Sequence, residues 1–495
     1  MTNLEDLPSS VLYHICYYVQ SSDLLQLRGT SKKLYTNLIE NEIEANIVWR
    51  NALAQDFSLK DEPFKTLTIE TNSSISNTRS IFGCDLGNKK SVFITSNAFE
   101  SWKHWSKANA IFHLDGFNSN EKINASYFLR AAEVWESIHE WCQSEESGIF
   151  GTKLLSTFES GVRRSQGRFP STSNFKAIHA FEAIFAFCDG QTDLINKSIG
   201  NHIPELALFG GYSAYDHSNY TRLCSTADSK CLNSVISNDH AAISFNYNPR
   251  LMKWFDLDIH TGKFVLFTRQ SNACPAFAVK DSNNISDKYD IGLLWMEEYK
   301  NRLMNGYLRI NPSHLVHGMD QIPFPVLSSF PSDQSPLSTR KITKGIEVIA
   351  SSIGALEIMT IIYSIRIRLL TPGEEGYLSS QDRGFDTCQL ESRHWRFFDE
   401  DTNSIDEVSG EGVIGRYPLL REGGYRDDHL NRLSTLVTGV EESGTFRYQS
   451  CANVRAGRFQ GKLKFIPGSL DRPTGEPFFV ELGELHLRLY QDINY

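Results

Sequence analysis

The chain has no excess of positive charge, no paired-cysteine spacing and no unbroken apolar run, and each absence removes a class of protein. Its 495 residues carry 49 Lys and Arg against 59 Asp and Glu, a formal net charge of -10. General nucleic-acid binding draws its affinity from a basic face, so no nucleic-acid partner is expected, although a local basic patch survives this argument. The most apolar stretch, 346–370, is interrupted by Glu347, Glu357, Arg366 and Arg368 and cannot span a bilayer. No membrane partner is expected. The first six residues, Met1-Thr2-Asn3-Leu4-Glu5-Asp6, lack the basic and apolar regions of a secretory signal, so residence in the cytoplasm, the nucleus or both is expected. Nine scattered cysteines without a Cys-x-x-Cys fit reduced thiols that fill cores. His314 and His317 have no cysteine or carboxylate at a spacing that completes a zinc site. No Ser/His/Asp order, paired-carboxylate motif or phosphate loop stands out. Neither a catalytic residue, a metal nor a cofactor is expected.

One glycine pattern is tempting. Gly410, Gly412 and Gly415 spell a dinucleotide fingerprint, which works only when a strand precedes it and a helix N-terminus follows to hold the pyrophosphate. Here Pro418 follows closely and opposes a long helix, so no dinucleotide site is expected.

What the sequence does contain is pattern, most densely in residues 1–57. Asp6 suits a helix N-cap, and Pro8 in the first turn needs no amide donor. Val11, Leu12, Ile15, Cys16 and Val19 then form one stripe of an amphipathic helix. Asp23 suits the positive end of a second helix with Leu24, Leu25 and Leu27 on its apolar face, ended by Gly29. Thr30-Ser31 opens a third, with Leu34, Tyr35, Leu38 and Ile39 behind it. A helix triplet of this size buries too little surface to stand alone, so its apolar face either docks on a partner or caps a larger domain.

Residues 58–98 read as a connecting segment. Beyond them, Trp135, Ile138 and Trp141 have helical spacing, and so do Ala177, Phe181, Ile184, Phe185 and Cys188, with Asp189-Gly190-Gln191 expected to close that helix. Gly210-Gly211 marks a turn before a strand, strand-like runs cover 242–247, 251–256 and 263–268, and a helix is expected over 291–305. Residues 99–317 thus read as an α+β domain. Four prolines and a run of serines make 318–340 a linker. From 341 to 495, short β-rich runs separated by turns predict an all-β, immunoglobulin-like sandwich.

Three resemblances sharpen this reading. Leu7-Pro8, Val11-Leu12, Ile15, Tyr18-Val19, Asp23-Leu24, Leu27, Thr30-Ser31-Lys32, Leu34-Tyr35 and Trp49 together resemble an F-box. Trp135 with Trp141, Phe181-Glu182, Cys188 to Gln191 and Gly210-Gly211-Tyr212 look like the SUKH superfamily, a set of protein-binding modules. Arg393-His394-Trp395, Glu407-Val408, the 410–415 glycine run, Pro418, Phe446-x-Tyr448-x-Ser450 and Gly457-x-Phe459-x-Gly461 closely resemble an ApaG domain, and Phe479 to Leu482 with Leu485-x-Leu487 extend the match. Residues 421–443 look like an insertion within that pattern.

The order F-box, SUKH-like, ApaG resembles ApaG-containing F-box-only proteins. That resemblance implies a substrate-recognition subunit of a Skp–cullin–F-box ubiquitin ligase, non-catalytic itself, with a Skp-type adaptor, a cullin complex and an unidentified protein target as partners. The adaptor-binding face would comprise Leu7, Pro8, Val11, Leu12, Ile15, Leu24 and Leu27. Target or anion binding is expected near Arg393, Trp395, Gly410, Gly412, Gly415 and Arg416, because some bacterial ApaG relatives are linked to phosphate or pyrophosphate. The alternatives are an F-box scaffold outside any ligase, and an ApaG module whose bound anion gates target recognition.

Overall fold

A computed structural model describes residues 125–160, 184–185, 188–191, 206–214, 217–224, 240–246, 253–258, 264–268, 276–277, 291–311, 326–426, 444–452, 454–491 and 495. The helix triplet of residues 1–57 with its adaptor-binding candidates, the segment 58–98, the pair His314 and His317, and 427–443 within the expected insertion lie outside the described residues.

The middle domain begins with α1 (Ala125–Cys142) and α2 (Gly148–Leu155). Ala131, Val134, Trp135, Ile138, Trp141 and Cys142 fall on one side of α1 and are buried, as the spacing demands. That face packs on α3 (Ile291–Met304), which buries Trp295, Met296, Tyr299 and Leu303 in turn. On the partly exposed side, Arg130 clamps Glu297 through two 2.7 Å hydrogen bonds. This fork geometry fixes the register of α1 against α3.

Strands β1 (Phe158–Ser160) and β2 (Cys188–Gln191) form a small antiparallel pair. Here the structure departs from the expected helix: Ile184 and Phe185 are helical, but Cys188 to Gln191 are a strand. The buried Gln191 amide explains why. Its Nε2 donates to Thr157 Oγ1 at 2.8 Å and Leu206 O at 2.7 Å, and its Oε1 accepts from Leu208 N at 3.0 Å. These long-range bonds hold the segment extended where local spacing favours a helix.

The main sheet of this domain comprises β3 (Gly211–Ala214), β4 (His217–Leu223), β5 (His240–Asn246), β6 (Lys253–Asp258), β7 (Phe264–Thr268), β8 (Ala276–Phe277), β9 (Arg309–Asn311) and β10 (Val326–Ser328). Their order is β8-β7-β6-β5-β4-β3-β10-β9, with only β10 and β3 parallel. Within the runs expected over 242–247, 251–256 and 263–268, the described residues 242–246, 253–256 and 264–268 are strand, and the helix expected over 291–305 runs to Met304. Trp295 of α3 lies on the sheet, with its ring 5.2 Å from Phe255 and 5.1 Å from Phe264.

The proline- and serine-rich stretch is structured over 326–340, against the expectation of a linker. Val326 and Leu327 are buried in β10, and the serines satisfy the backbone that follows. Ser328 Oγ accepts from Phe330 N at 3.1 Å, Ser332 Oγ from Gln334 N at 3.2 Å, and Ser335 Oγ from Leu337 N at 3.2 Å. Successive side-chain-to-backbone turns order a segment whose composition suggests a flexible tether.

The C-terminal domain is a sandwich of two antiparallel sheets. One contains β11 (Ser338–Thr343), β12 (Ile346–Ala355), β13 (Thr360–Leu369) and β18 (Phe446–Ala452). In the other, β14 (Cys388–Asp399) pairs along one edge with β15 (Ile405–Glu411) and β16 (Leu419–Arg421), and along the other with β19 (Ala456–Pro467). β17 (Gly424–Arg426) and β20 (Phe478–Arg488) flank this sheet, and a single helical turn, α4 (Ser380–Arg383), precedes it. Several strands are longer than the short runs read from sequence, ten to twelve residues in β12, β13, β14, β19 and β20. β20 alternates buried and exposed positions along most of its length, which places one face on the core.

The two domains share a seam. Tyr212, Phe330, Ile353 and Ile362 form one buried cluster across it. Glu357, in the β12–β13 turn and 2% exposed, accepts from Tyr212 Oη and Asn219 Nδ2 of the middle domain. Burial, reinforced by Glu357, holds the Tyr212 hydroxyl well above its ordinary pKa, so it remains a donor. Tyr495 reaches into the middle domain beside Trp295 and Phe209, and Lys253 donates to its main-chain oxygen.

Candidate functional site

The sandwich core explains several residues of the C-terminal pattern before any function is invoked. Trp395 is 1% exposed and lies 5.3 Å from the Phe459 ring and 6.4 Å from Tyr448. Its cross-strand partner is Gly461, where a Cβ would overlap the indole ring and the His394 carbonyl. A Cβ at Gly457 would meet Phe398 O in the same way. The Gly457-x-Phe459-x-Gly461 spacing is therefore a packing device: two bare backbones flank the ring that fills the core.

The glycine run 410–415 is a hairpin end. Val413 and Arg416 exchange both backbone hydrogen bonds at 2.9 Å, with Ile414 and Gly415 at φ of 48° and 70° between them. Both central residues are left-handed, the signature of a type I′ turn. The Gly412 amide donates to Glu391 O at 2.7 Å. The amides of Gly412, Val413 and Arg416 are thus consumed internally, and no helix follows, so this is no pyrophosphate cradle.

The expected site residues divide. Arg393, Gly410 and Gly412 come together: Arg393 Nη1 donates to Gly412 O at 2.7 Å. Trp395 and Arg416 do not join them. Trp395 belongs to the core, and Arg416, 4% exposed, holds its guanidinium 5.4 Å from the centre of the Phe446 ring. Gly415 occupies the turn, open on its Cβ side.

Beside Arg393, a depression of about 300 Å³ opens on the outer face of β14, β15, β19 and β20. His394, Lys462, Lys464 and Phe479 line it with Arg393, and none of the residues that line it is acidic. The register dictates the grouping, since His394 lies opposite both Ser409 and Lys462, and Lys464 opposite Phe479. His394 Nδ1 and Ser409 Oγ are 2.7 Å apart. Lys462 Nζ lies 4.5 Å from the centre of the Phe479 ring, and Lys464 pairs with Glu391 at 2.7 Å. Sequence reasoning missed His394, Lys462, Lys464 and Phe479. The i, i+2 repeat of Lys462 and Lys464 is the signal that could have found two of them.

A larger cavity of about 360 Å³ lies at the domain seam, lined by Arg309, Arg366, Arg368, Asp333 and Glu347 among others. Its charges are largely matched within the protein. Glu347 takes Arg340 and Arg368 at 2.6 Å each, Arg368 also binds Glu374 at 2.6 Å, and Arg366 lies 3.7 Å from Asp333. Among the described residues there is no cluster suited to a metal ion and no helix long and apolar enough to cross a membrane.

The sandwich with this glycine hairpin and tryptophan core is an ApaG domain, and the family profile for that domain matches residues 359–426. Over a much longer stretch, the chain is homologous to the F-box protein SKIP16 of Arabidopsis thaliana. The two are 29% identical over 394 residues, 73% of this chain and 79% of that protein. Protein ApaG of Acidithiobacillus ferrooxidans is 38% identical over 74 residues, 15% of this chain and 56% of its own length. A solved structure, the putative ApaA protein from Bordetella pertussis, aligns with 31% of this chain and 98% of its own at 21% identity and a TM-score of 0.20. The chain is consistent with an F-box/ApaG protein.

Proposed function

We propose that this chain is the substrate-recognition subunit of a Skp–cullin–F-box ubiquitin ligase. Residues 1–57, read as the F-box, bind a Skp-type adaptor through an apolar face, while the middle domain, read as SUKH-like, and the ApaG sandwich hold the target. The observation that carries this reading is the similarity to an F-box protein over 73% of the chain. The shared seam supports it, since domains joined through Glu357 and Tyr495 are held to one another and can offer a target one composite surface. The chain supplies positioning rather than chemistry, in the cytoplasm or nucleus where such ligases meet their targets.

The test is co-purification of the full chain with a Skp-type adaptor and a cullin, beside an Ile15→Asp, Leu24→Asp double variant. Charges on that face would be buried unpaired in the complex, so the variant is expected to lose the adaptor. Failure of the unaltered chain to retain the adaptor refutes the receptor reading. Adaptor binding without cullin assembly leaves a scaffold outside the ligase.

A further inference from the structure

The geometry points to the cationic depression on the outer face of the sandwich as the docking surface for an acidic segment of a target protein. This rests on the substrate-receptor reading and gives it a chemical class of partner. Lys462 and Lys464 converge there with His394, and Arg393 is among the residues that line it, in a chain whose net charge is -10. A local cluster of one sign against an opposite overall charge does not arise from composition and focuses potential toward one kind of ligand.

The neighbouring groups decide how much of that charge is available. Arg393 is anchored by Gly412 O at 2.7 Å, a neutral acceptor that orients the guanidinium without cancelling its charge. Lys464 pairs with Glu391, but both side chains are about a third exposed, at 32% and 31%. Such pairs contribute little to stability, so an incoming carboxylate or phosphate can take Lys464 at small cost. Lys462 has Glu481 opposite it in the sheet, and Glu481 is engaged by Lys341.

Phe479 supplies a second feature. It is 50% exposed and sits opposite Lys464 on β20. An exposed aromatic within a charged rim is a common composition of protein-binding surfaces. A volume of about 300 Å³ holds one or two side chains, which suits an extended peptide offering an acidic group with an apolar neighbour. A basic cluster confined to one depression does not suit a nucleic-acid duplex, whose phosphates need a long basic track.

The experiment uses the full chain and fluorescein-labelled decapeptides in which glutamates flank a leucine, read by fluorescence anisotropy. Parallel arms carry phosphoserine or glutamine in place of glutamate, and competitor vesicles contain phosphatidylserine. Binding is expected for the glutamate or phosphoserine peptide and not for the glutamine one, weakening as salt is raised from about 0.05 M to about 0.5 M. Lys462→Glu with Lys464→Glu is expected to weaken it at least about tenfold, given the loss of two charge-assisted contacts. The milder Lys462→Gln, Lys464→Gln pair should weaken it less, and unchanged thermal melts for both variants keep folding apart from docking.

The Ile15→Asp, Leu24→Asp variant should bind the peptides normally, so loss of adaptor binding and loss of peptide binding are separate results. Three outcomes overturn the inference: no peptide binding, equal affinity in the charge-reversed variant, or preferential capture of the chain by the anionic vesicles.

Discussion

Asp256→Asn is expected to stabilise the middle domain at pH 8 and to leave it nearly unchanged at pH 4. Asp256 is fully buried in the centre of β6, on the side of Trp254 and away from the core-facing Phe255 and Leu257. The Trp254 indole N–H donates to Oδ2 at 3.1 Å, while Oδ1 has no hydrogen-bond partner among the described residues. Burial pushes the carboxyl from 3.8 up to about 7, against the smaller opposing effect of the indole. Below about pH 4 both folded and unfolded chains hold the proton, and the full stability is present. Between pH 4 and 7 the unfolded chain releases a proton that the folded chain keeps, so stability falls as pH rises. At 1.36 kcal/mol for each unit between 3.8 and about 7, the loss is roughly 3–5 kcal/mol by pH 8.

An asparagine in that place has no proton to lose. The assay is urea unfolding of the full chain and the variant, followed by tryptophan fluorescence at pH 4, 6 and 8. Comparing the two proteins at each pH cancels every other titrating group. An advantage of the variant that fails to grow between pH 4 and pH 8 refutes the reasoning.

Other substitutions test the packing and the seam. Gly461→Ala should cost about 2–4 kcal/mol and lower the melting temperature, because its Cβ meets the Trp395 ring and a backbone carbonyl together; an unchanged melt refutes the packing account. Ile414→Asn should stabilise by about 1 kcal/mol, since a β-branched residue at φ 48° is replaced by one that tolerates the left-handed region; a lower melting temperature argues instead that Ile414 is held by contacts. Glu357→Ala should loosen the seam and speed limited proteolysis there by stranding Tyr212 and Asn219, whereas Glu357→Gln keeps an acceptor oxygen for both. Equal digestion of Ala and Gln variants rules out that latch. Phe479→Ala should leave the unfolding free energy within about 0.5 kcal/mol of the unaltered chain, as expected for an exposed side chain, and a larger loss in urea unfolding would make Phe479 part of the core.

Local pattern made much of the architecture legible. The repeat of Trp295, Tyr299 and Leu303 marks α3, the runs around Phe255 and Phe264 mark central strands, and the Gly457-x-Phe459-x-Gly461 spacing marks the sandwich. In each, the period of the element coincides with the side that is buried, so one stretch of chain carries the information. The same logic excluded a dinucleotide site at Gly410 to Gly415, because Pro418 opposes the required helix.

Where distant residues supply the deciding contacts, local pattern falls silent or misleads. Cys188 carries helical spacing and Asp189 to Gln191 are expected to close that helix, yet the Gln191 amide is held by Thr157, Leu206 and Leu208, and Cys188 to Gln191 form a strand. The serines after Phe324 look like a tether, and they become a chain of turns once β10 pairs with β3 and β9. Trp395 and Arg416, expected near a target- or anion-binding site, are buried, while His394, Lys462, Lys464 and Phe479 meet only through the register of four strands. Where the apolar period is strong, as in Trp295, Tyr299 and Leu303, the sequence by itself determined the element and its apolar side, because those properties repeat along the chain. Only the tertiary structure decided which outward-facing side chains become neighbours, because strand pairing joins residues whose separation in sequence carries no record of it.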